Sequence, residues 1–212
     1  MKTMQRRLVL GSAVIAALGM SHSVLAESQY GYNAAGTGTL TAQARLNVEV
    51  KVPKMILLRV GSSGNTPDTV TLQGGFAGGI PGGVATLTDG NNQATGWDGT
   101  APIQTLTSTP ASVQAYAWTN AAGGGELGGV ATLTAGTPST GVALTQIEVT
   151  STVVSGGGLA HPGANLGTLA NVTFARNAVQ SSTWAFNISA ANLAGLASGS
   201  DSVAITYTAT TL

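Results

Sequence analysis

Apolar and polar residues alternate through almost the whole chain after residue 26, and a helical period is almost absent. In the longest example, seven apolar side chains occupy every second position of residues 40–52, with polar or charged residues between them. This period of two predicts a strand with one buried and one wet face. Pro53 interrupts the pattern, and residues 55–60 resume it as a more continuously apolar run, as a strand does after a bend.

Shorter runs of the same kind are separated by turn clusters rich in glycine. Further strands are predicted at residues 69–73, 84–88, 103–107, 113–119, 130–134, 143–154, 170–175, 183–189 and 202–210. Many short strands at this close spacing predict a single all-β domain, an immunoglobulin-like β-sandwich, with at most a helical turn around residues 190–197.

One nonamer occurs twice, as GGVATLTDG at residues 82–90 and GGVATLTAG at residues 128–136. The two copies match at eight of nine positions, but the similarity does not extend into their flanks. An array of repeats would show its period more than once. We therefore predict two similar loop-to-strand entries inside one domain.

The first 26 residues have the composition of an export signal. Lys2, Arg6 and Arg7 precede an apolar stretch that ends near Met20, and small residues lead up to Ala26. This order predicts a signal peptide cleaved after Ala26. Since a membrane span needs about 20 apolar residues, we expect no span after cleavage. The expected location is the periplasm in transit, then the cell surface or the medium.

Charge is scarce and slightly negative once the signal is removed. Only 8% of the residues are charged, and the mature chain keeps five Lys and Arg against eight Asp and Glu, a net charge of −3. So few cations cannot neutralise a row of phosphates, which argues against nucleic acid as a partner. The chain has no cysteine, so the exported domain folds without disulfides.

Residues suited to catalysis are few. After cleavage His161 is the only imidazole, and no G-x-S-x-G motif accompanies it, so we predict a histidine on a surface loop and no enzyme. Asp89, Asn91, Asn92 and Asp98 cluster their oxygens as a calcium loop would. The same residues are typical of tight turns, and we predict turns, with no metal and no cofactor.

The three tryptophans are candidates for ligand contacts. Trp118 and Trp184 lie in alternating runs, which favours core or half-core packing for both. Trp97 lies in the turn sequence TGWDG, and it is the one residue that we single out as a possible ligand contact.

The two ends of the mature chain carry the pattern that bears on function. Residues 27–45 form a polar extension that ends in the apolar positions Leu40, Ala42 and Ala44, and residues 46–212 are expected to form the folded domain. The last predicted strand carries Val203, Ile205, Tyr207 and Ala209 in one phase, and Gly199 lies shortly before it.

In these features the chain resembles the subunits of chaperone–usher fimbriae. The resemblance implies a surface fimbria or pilus assembled by donor-strand exchange, with a role in adhesion. Leu40, Ala42 and Ala44 would be the donated positions, and Gly199, Val203, Ile205 and Tyr207 the C-terminal assembly strand. The implied partners are other copies or related subunits, a periplasmic chaperone and an outer-membrane usher.

Two features of the family are absent from this chain. Many of its members have an aromatic residue next to last, where this chain has Thr211, and many have an early disulfide. The alternative prediction is a secreted or surface-attached β-sandwich that binds a carbohydrate or a protein through Trp97.

Overall fold

The structure, a computed structural model, describes residues 27–107 and 111–212. The chain divides into two units, Met1–Val52 and Pro53–Leu212. The predicted signal peptide lies outside the described residues. Within the described ranges, no helix has the length and apolar character needed to cross a bilayer.

The second unit is all-β, as predicted. Its strands are β1 (Ile56–Val60), β2 (Gly74–Ala77), β3 (Ile103–Leu106), β4 (Ala111–Thr119), β5 (Gly125–Thr134), β6 (Glu148–Ser155), β7 (Val172–Phe174), β8 (Gln180–Asn187) and β9 (Ser202–Thr211). They form three antiparallel sheets with the orders β1-β4-β8-β6, β2-β3 and β7-β5-β9. A short helix, α1 (Ala190–Leu193), follows β8, and the Ser189 hydroxyl caps it by accepting from the Asn192 N–H.

The two larger sheets share one apolar core. Trp184 and Phe186 reach it from β8, Leu127 from β5 and Phe174 from β7. Each of these residues occupies the inward phase of an alternating strand, so the period of two seen in the sequence sets the buried face. Trp184, for which we predicted core or half-core packing, is completely buried, and its indole N–H donates to the carbonyl of Leu159.

The strands predicted at residues 69–73 and 84–88 do not form. The second of these lies in the first copy of the nonamer, while the second copy lies almost entirely in β5. In the first copy the backbone is held by local turns: Ile80 N–H donates to the carbonyl of Val84, and Gly83 N–H donates to that of Ile80. The expectation that both copies enter a strand is wrong for the first.

The prediction of a strand at residues 40–52 is also wrong for this chain alone. In the described part of the first unit, residues 27–52, no residue belongs to a strand and every residue is exposed. A strand requires a hydrogen-bonded neighbour, and alternation supplies only the amphipathic face. The compact second unit begins at Pro53, although we expected the folded domain to begin at residue 46.

Candidate assembly site

Strand β9 ends the three-stranded sheet, and one side of its backbone pairs with no other strand among the described residues. It pairs along its whole length with β5, from Ser202 opposite Thr134 to Thr211 opposite Gly125. In the sheet order β7-β5-β9 it has no second neighbour. Such an edge presents a row of free N–H and C=O groups that can pair with another strand.

The inward side chains of β9 are only half-buried. They are Val203, Ile205, Tyr207 and Ala209. In the central strand β8, by contrast, the inward residues Trp184 and Phe186 are 0% and 7% exposed. The core is therefore closed over β8 and incomplete beside β9.

A second edge strand lies next to this one. β1 ends the four-stranded sheet, and its inward residues Ile56, Leu58 and Val60 are also half-buried. Some Cα atoms of β1 and β9 approach within 8 Å, although the two strands belong to different sheets and share no ladder. We call the space between these two strands, with its half-buried side chains, the β1–β9 edge.

The N-terminal segment has the complementary pattern. Its large apolar side chains are more than half exposed: Leu40 53%, Leu46 67%, Val48 77%, Val50 79% and Val52 74%. Ala42 and Ala44, in the same phase, are exposed as well. The predicted donor positions thus belong to a longer exposed apolar row, which continues through the residues that we expected to form the domain's first strand.

The polar side chains of this segment lie in the opposite phase. The Lys51 ammonium is 3.4 Å from the Glu49 carboxylate, and both side chains are well exposed. Residues i and i+2 share a face in an extended chain. The segment therefore presents one polar and one apolar face, as an amphipathic strand does before pairing.

His161 and Tyr207 tie β9 to the core. We assign the ring proton to Nδ1, because the Gly163 carbonyl oxygen, 2.6 Å away, can only accept; Nε2 then accepts from the Tyr207 hydroxyl at 2.9 Å. The imidazole also packs edge-on against the Trp184 indole, with 5.0 Å between the ring centroids. The prediction of a surface histidine is wrong, because His161 is only 6% exposed.

This environment favours the neutral form of both rings. Burial lowers the pKa of His161, against the opposing effect of the bond to the Gly163 carbonyl. Burial raises the pKa of Tyr207 above its ordinary range. The sequence signal that could have placed His161 inside is the apolar pair Leu159-Ala160 before it, since Leu159 is fully buried.

Asp201 fixes the start of β9. Its carboxylate accepts from the Thr140 hydroxyl, from the Gly136 N–H at 2.6 Å and from the Thr140 N–H at 2.9 Å. These bonds, the Thr140 hydroxyl first, lower the pKa of Asp201 to about 2. Gly199 lies in the same turn, where a Cβ would come 2.3 Å from the Pro138 carbonyl oxygen. A close backbone approach therefore requires Gly199 to be a glycine.

Trp97 lies on a separate turn and not at the β1–β9 edge. Its indole N–H donates to the Thr100 carbonyl at 2.8 Å, and the Asp98 carboxylate accepts from the Thr100 N–H at 2.9 Å. The side chain of Trp97 nevertheless remains 65% exposed. The turn thus holds the indole in place and leaves its ring open to a ligand.

The described residues, 27–107 and 111–212, contain no group of three or more His, Cys, Asp or Glu side chains that could hold a metal ion. The nitrogens of the His161 ring contact the Gly163 carbonyl and the Tyr207 hydroxyl. The chain matches no protein-family model, no curated protein and no solved structure.

Proposed function

We propose that this protein is an exported structural subunit of a surface fimbria or pilus, assembled by donor-strand exchange and contributing to adhesion. The second unit acts as an immunoglobulin-like β-sandwich that lacks one strand beside β9. Residues 40–52 of one copy fill the β1–β9 edge of the next, and repetition of this step builds a linear fibre.

One observation carries the proposal. The same chain contains an unpaired, exposed apolar row at every second position of residues 40–52 and an edge strand, β9, whose inward side chains are half-buried. An added strand forms ladder hydrogen bonds and fills pockets with alternate side chains. Burial of one Val or Leu side chain contributes about 1.5–3 kcal/mol, so several such residues stabilise a contact between subunits strongly.

The test is refolding of the purified mature chain at rising concentration without other proteins. We expect linear polymers in electron microscopy and in light scattering. A synthetic peptide of residues 40–52 should shorten them by occupying the β1–β9 edge. A control peptide with its apolar and polar positions exchanged should have no effect. A chain that stays monomeric at every concentration contradicts the proposal.

The exposed ring of Trp97 favours a second candidate, a binding module for carbohydrate or protein. Flat sugar faces stack on such rings, and a turn that fixes the indole reduces the entropy lost on binding. A glycan array read with the wild type and with Trp97→Ala tests this candidate. Binding lost in Trp97→Ala but kept in Trp97→Phe supports it, and no binding by the wild type contradicts it.

A further inference from the structure

Asn120 holds the chain at the junction between residues 40–52 and β1. It directly follows the last residue of β4, and its side-chain amide binds the junction twice. The Nδ2 group donates to the Pro53 carbonyl at 2.7 Å, and Oδ1 accepts from the Met55 N–H at 2.8 Å. The Met55 carbonyl also accepts from the Thr119 hydroxyl at 2.8 Å. The Asn120 amide thus acts as a peptide group and extends the β1–β4 ladder to Pro53.

The sequence around the junction does not favour a tight turn. Pro53 has a fixed φ and confines Val52 to extended conformations. A two-residue hairpin turn is of type I′ or II′ and needs Gly, Asn or Asp at its positions of positive φ. Residues 48–60 contain none of these three residue types. With residues 53–55 held by Asn120, residues 48–55 include no residue type suited to a two-residue hairpin turn.

A tethered segment has an advantage over a free one. Linked through a short connection, it competes for its own body at an effective concentration in the millimolar range. Free subunits at micromolar concentration would lose that competition, and the chain would complete itself as a monomer. Residues that directly precede β1 can lie beside β1 of the same body only if the chain reverses direction. If the chain cannot reverse direction at this junction, its own residues 40–52 do not compete with a second copy for the β1–β9 edge.

We propose that Asn120 and Pro53 direct residues 40–52 to the β1–β9 edge of a second copy and prevent the chain from completing itself. This inference rests on the proposed function. The segment that occupies the β1–β9 edge is residues 40–52 of a second copy of this chain. The device lies outside the apolar row, so it changes where the strand goes and not how well the strand fits.

The decisive variant carries Pro53→Asn, Lys54→Gly and Asn120→Ala, and it leaves the apolar row unchanged. It introduces an Asn-Gly hairpin turn and removes the clamp. We expect a self-completed monomer with amides 40–50 protected from hydrogen exchange at any dilution. The matched control, Pro53→Ser with Lys54→Thr, adds no favoured turn and keeps Asn120, and it should polymerise. Light scattering behind size-exclusion chromatography measures the polymer share at equal protein concentration.

If far-UV circular dichroism shows that the triple variant does not fold, the single variant Asn120→Ala replaces it. The loss of two side-chain hydrogen bonds should raise the ratio of monomer to polymer roughly tenfold. If the wild type polymerises and both Asn120 variants polymerise equally well, the clamp inference is wrong and the proposed function stands. If the wild type never polymerises, the proposed function itself fails, and this inference with it.

Discussion

Residues 40–52 and strand β9 have the same sequence pattern but different structures. Both alternate apolar and polar side chains over their whole length. β9 has β5 as a hydrogen-bonded neighbour on one side, and its apolar row is half-buried. Residues 40–52 belong to no strand, and their apolar row is exposed.

The difference shows what alternation does and does not encode. A period of two decides which side chains share a face, but a neighbouring backbone must complete the strand. β9 still lacks one neighbour, and residues 40–52 lack both. One contact between two copies would supply a neighbour to each, which is why this comparison bears on assembly.

The largest effect is expected from Val48→Asp, in the apolar row. It would place a carboxylate in the β1–β9 edge of the neighbour, where charge is poorly solvated. We expect the polymer share to fall about a hundredfold, the equivalent of about 3 kcal/mol, with unfolding of the monomer unchanged. Asn47→Asp adds the same charge on the polar face and should polymerise normally in the same light-scattering assay. An equal loss of polymer in both variants would contradict the assignment of position 48 to the contacting face and position 47 to the exposed face.

Ile205→Asp changes β9, the strand that would receive the donated segment. Because Ile205 packs against the core of its own body, this change should lower the free energy of unfolding by about 2 kcal/mol and also block acceptance of a strand. Thr206→Asp, on the outer face of β9, is the control. Urea unfolding distinguishes Ile205→Asp from Val48→Asp, since Val48→Asp should reduce assembly without changing the free energy of unfolding.

At the predicted donor positions themselves, Ala42→Asp and Leu40→Asp should weaken assembly less than Val48→Asp does. Ala42 buries little surface, and Leu40 lies at the end of the row. The out-of-phase Thr41→Asp and Gln43→Asp should matter least. Sedimentation of the polymers formed by these four variants gives the ranking. Equal effects at in-phase and out-of-phase positions would contradict the assignment of one apolar face to the contact.

Acid should weaken β9 through His161. Its pKa is lowered in the folded protein, so the stabilisation is complete above the ordinary value of 6.5 and is lost as the pH falls below it. A second proton would occupy Nε2, which accepts from Tyr207; the other ring neighbours, Trp184 and Phe186, do not titrate. Urea unfolding at pH 7.5 and pH 5 should show a smaller acid loss in His161→Gln. An identical loss would contradict this assignment.

Asp201 should have the smallest effect. Its pKa of about 2 lies below the ordinary value of 3.8, so the stabilisation that the carboxylate gives is complete above 3.8 and is lost as the pH falls from there through about 2. Asp201→Asn should therefore speed hydrogen exchange at residues 136–140 and change polymer formation little. Slow exchange in this variant would show that other contacts hold the turn.

The sequence predicted several strands correctly, but it did not predict which distant residues contact one another in the folded protein. Alternation found β4, β8 and β9, and it identified Trp184 as a core residue. It failed at residues 84–88, although nearly the same nonamer forms part of β5, because the neighbours of each copy decide its structure. His161 was misplaced because its partner Tyr207 lies 46 residues away. The clamp of Asn120 on Pro53 joins residues that are 67 positions apart, and it left no local signal.

The most direct test of the account uses the absence of cysteine from the chain. One preparation carries Val48→Cys, and a second carries a cysteine at position 203, 205 or 207. Opposed side chains of paired strands bring their Cβ atoms to about 5 Å, close to the distance that a disulfide needs. After mixing and mild oxidation, we expect a disulfide between chains with at least one of the three β9 positions, and none with Asn47→Cys in place of Val48→Cys. No disulfide with any of the three, or equal yields from positions 47 and 48, would contradict this expectation.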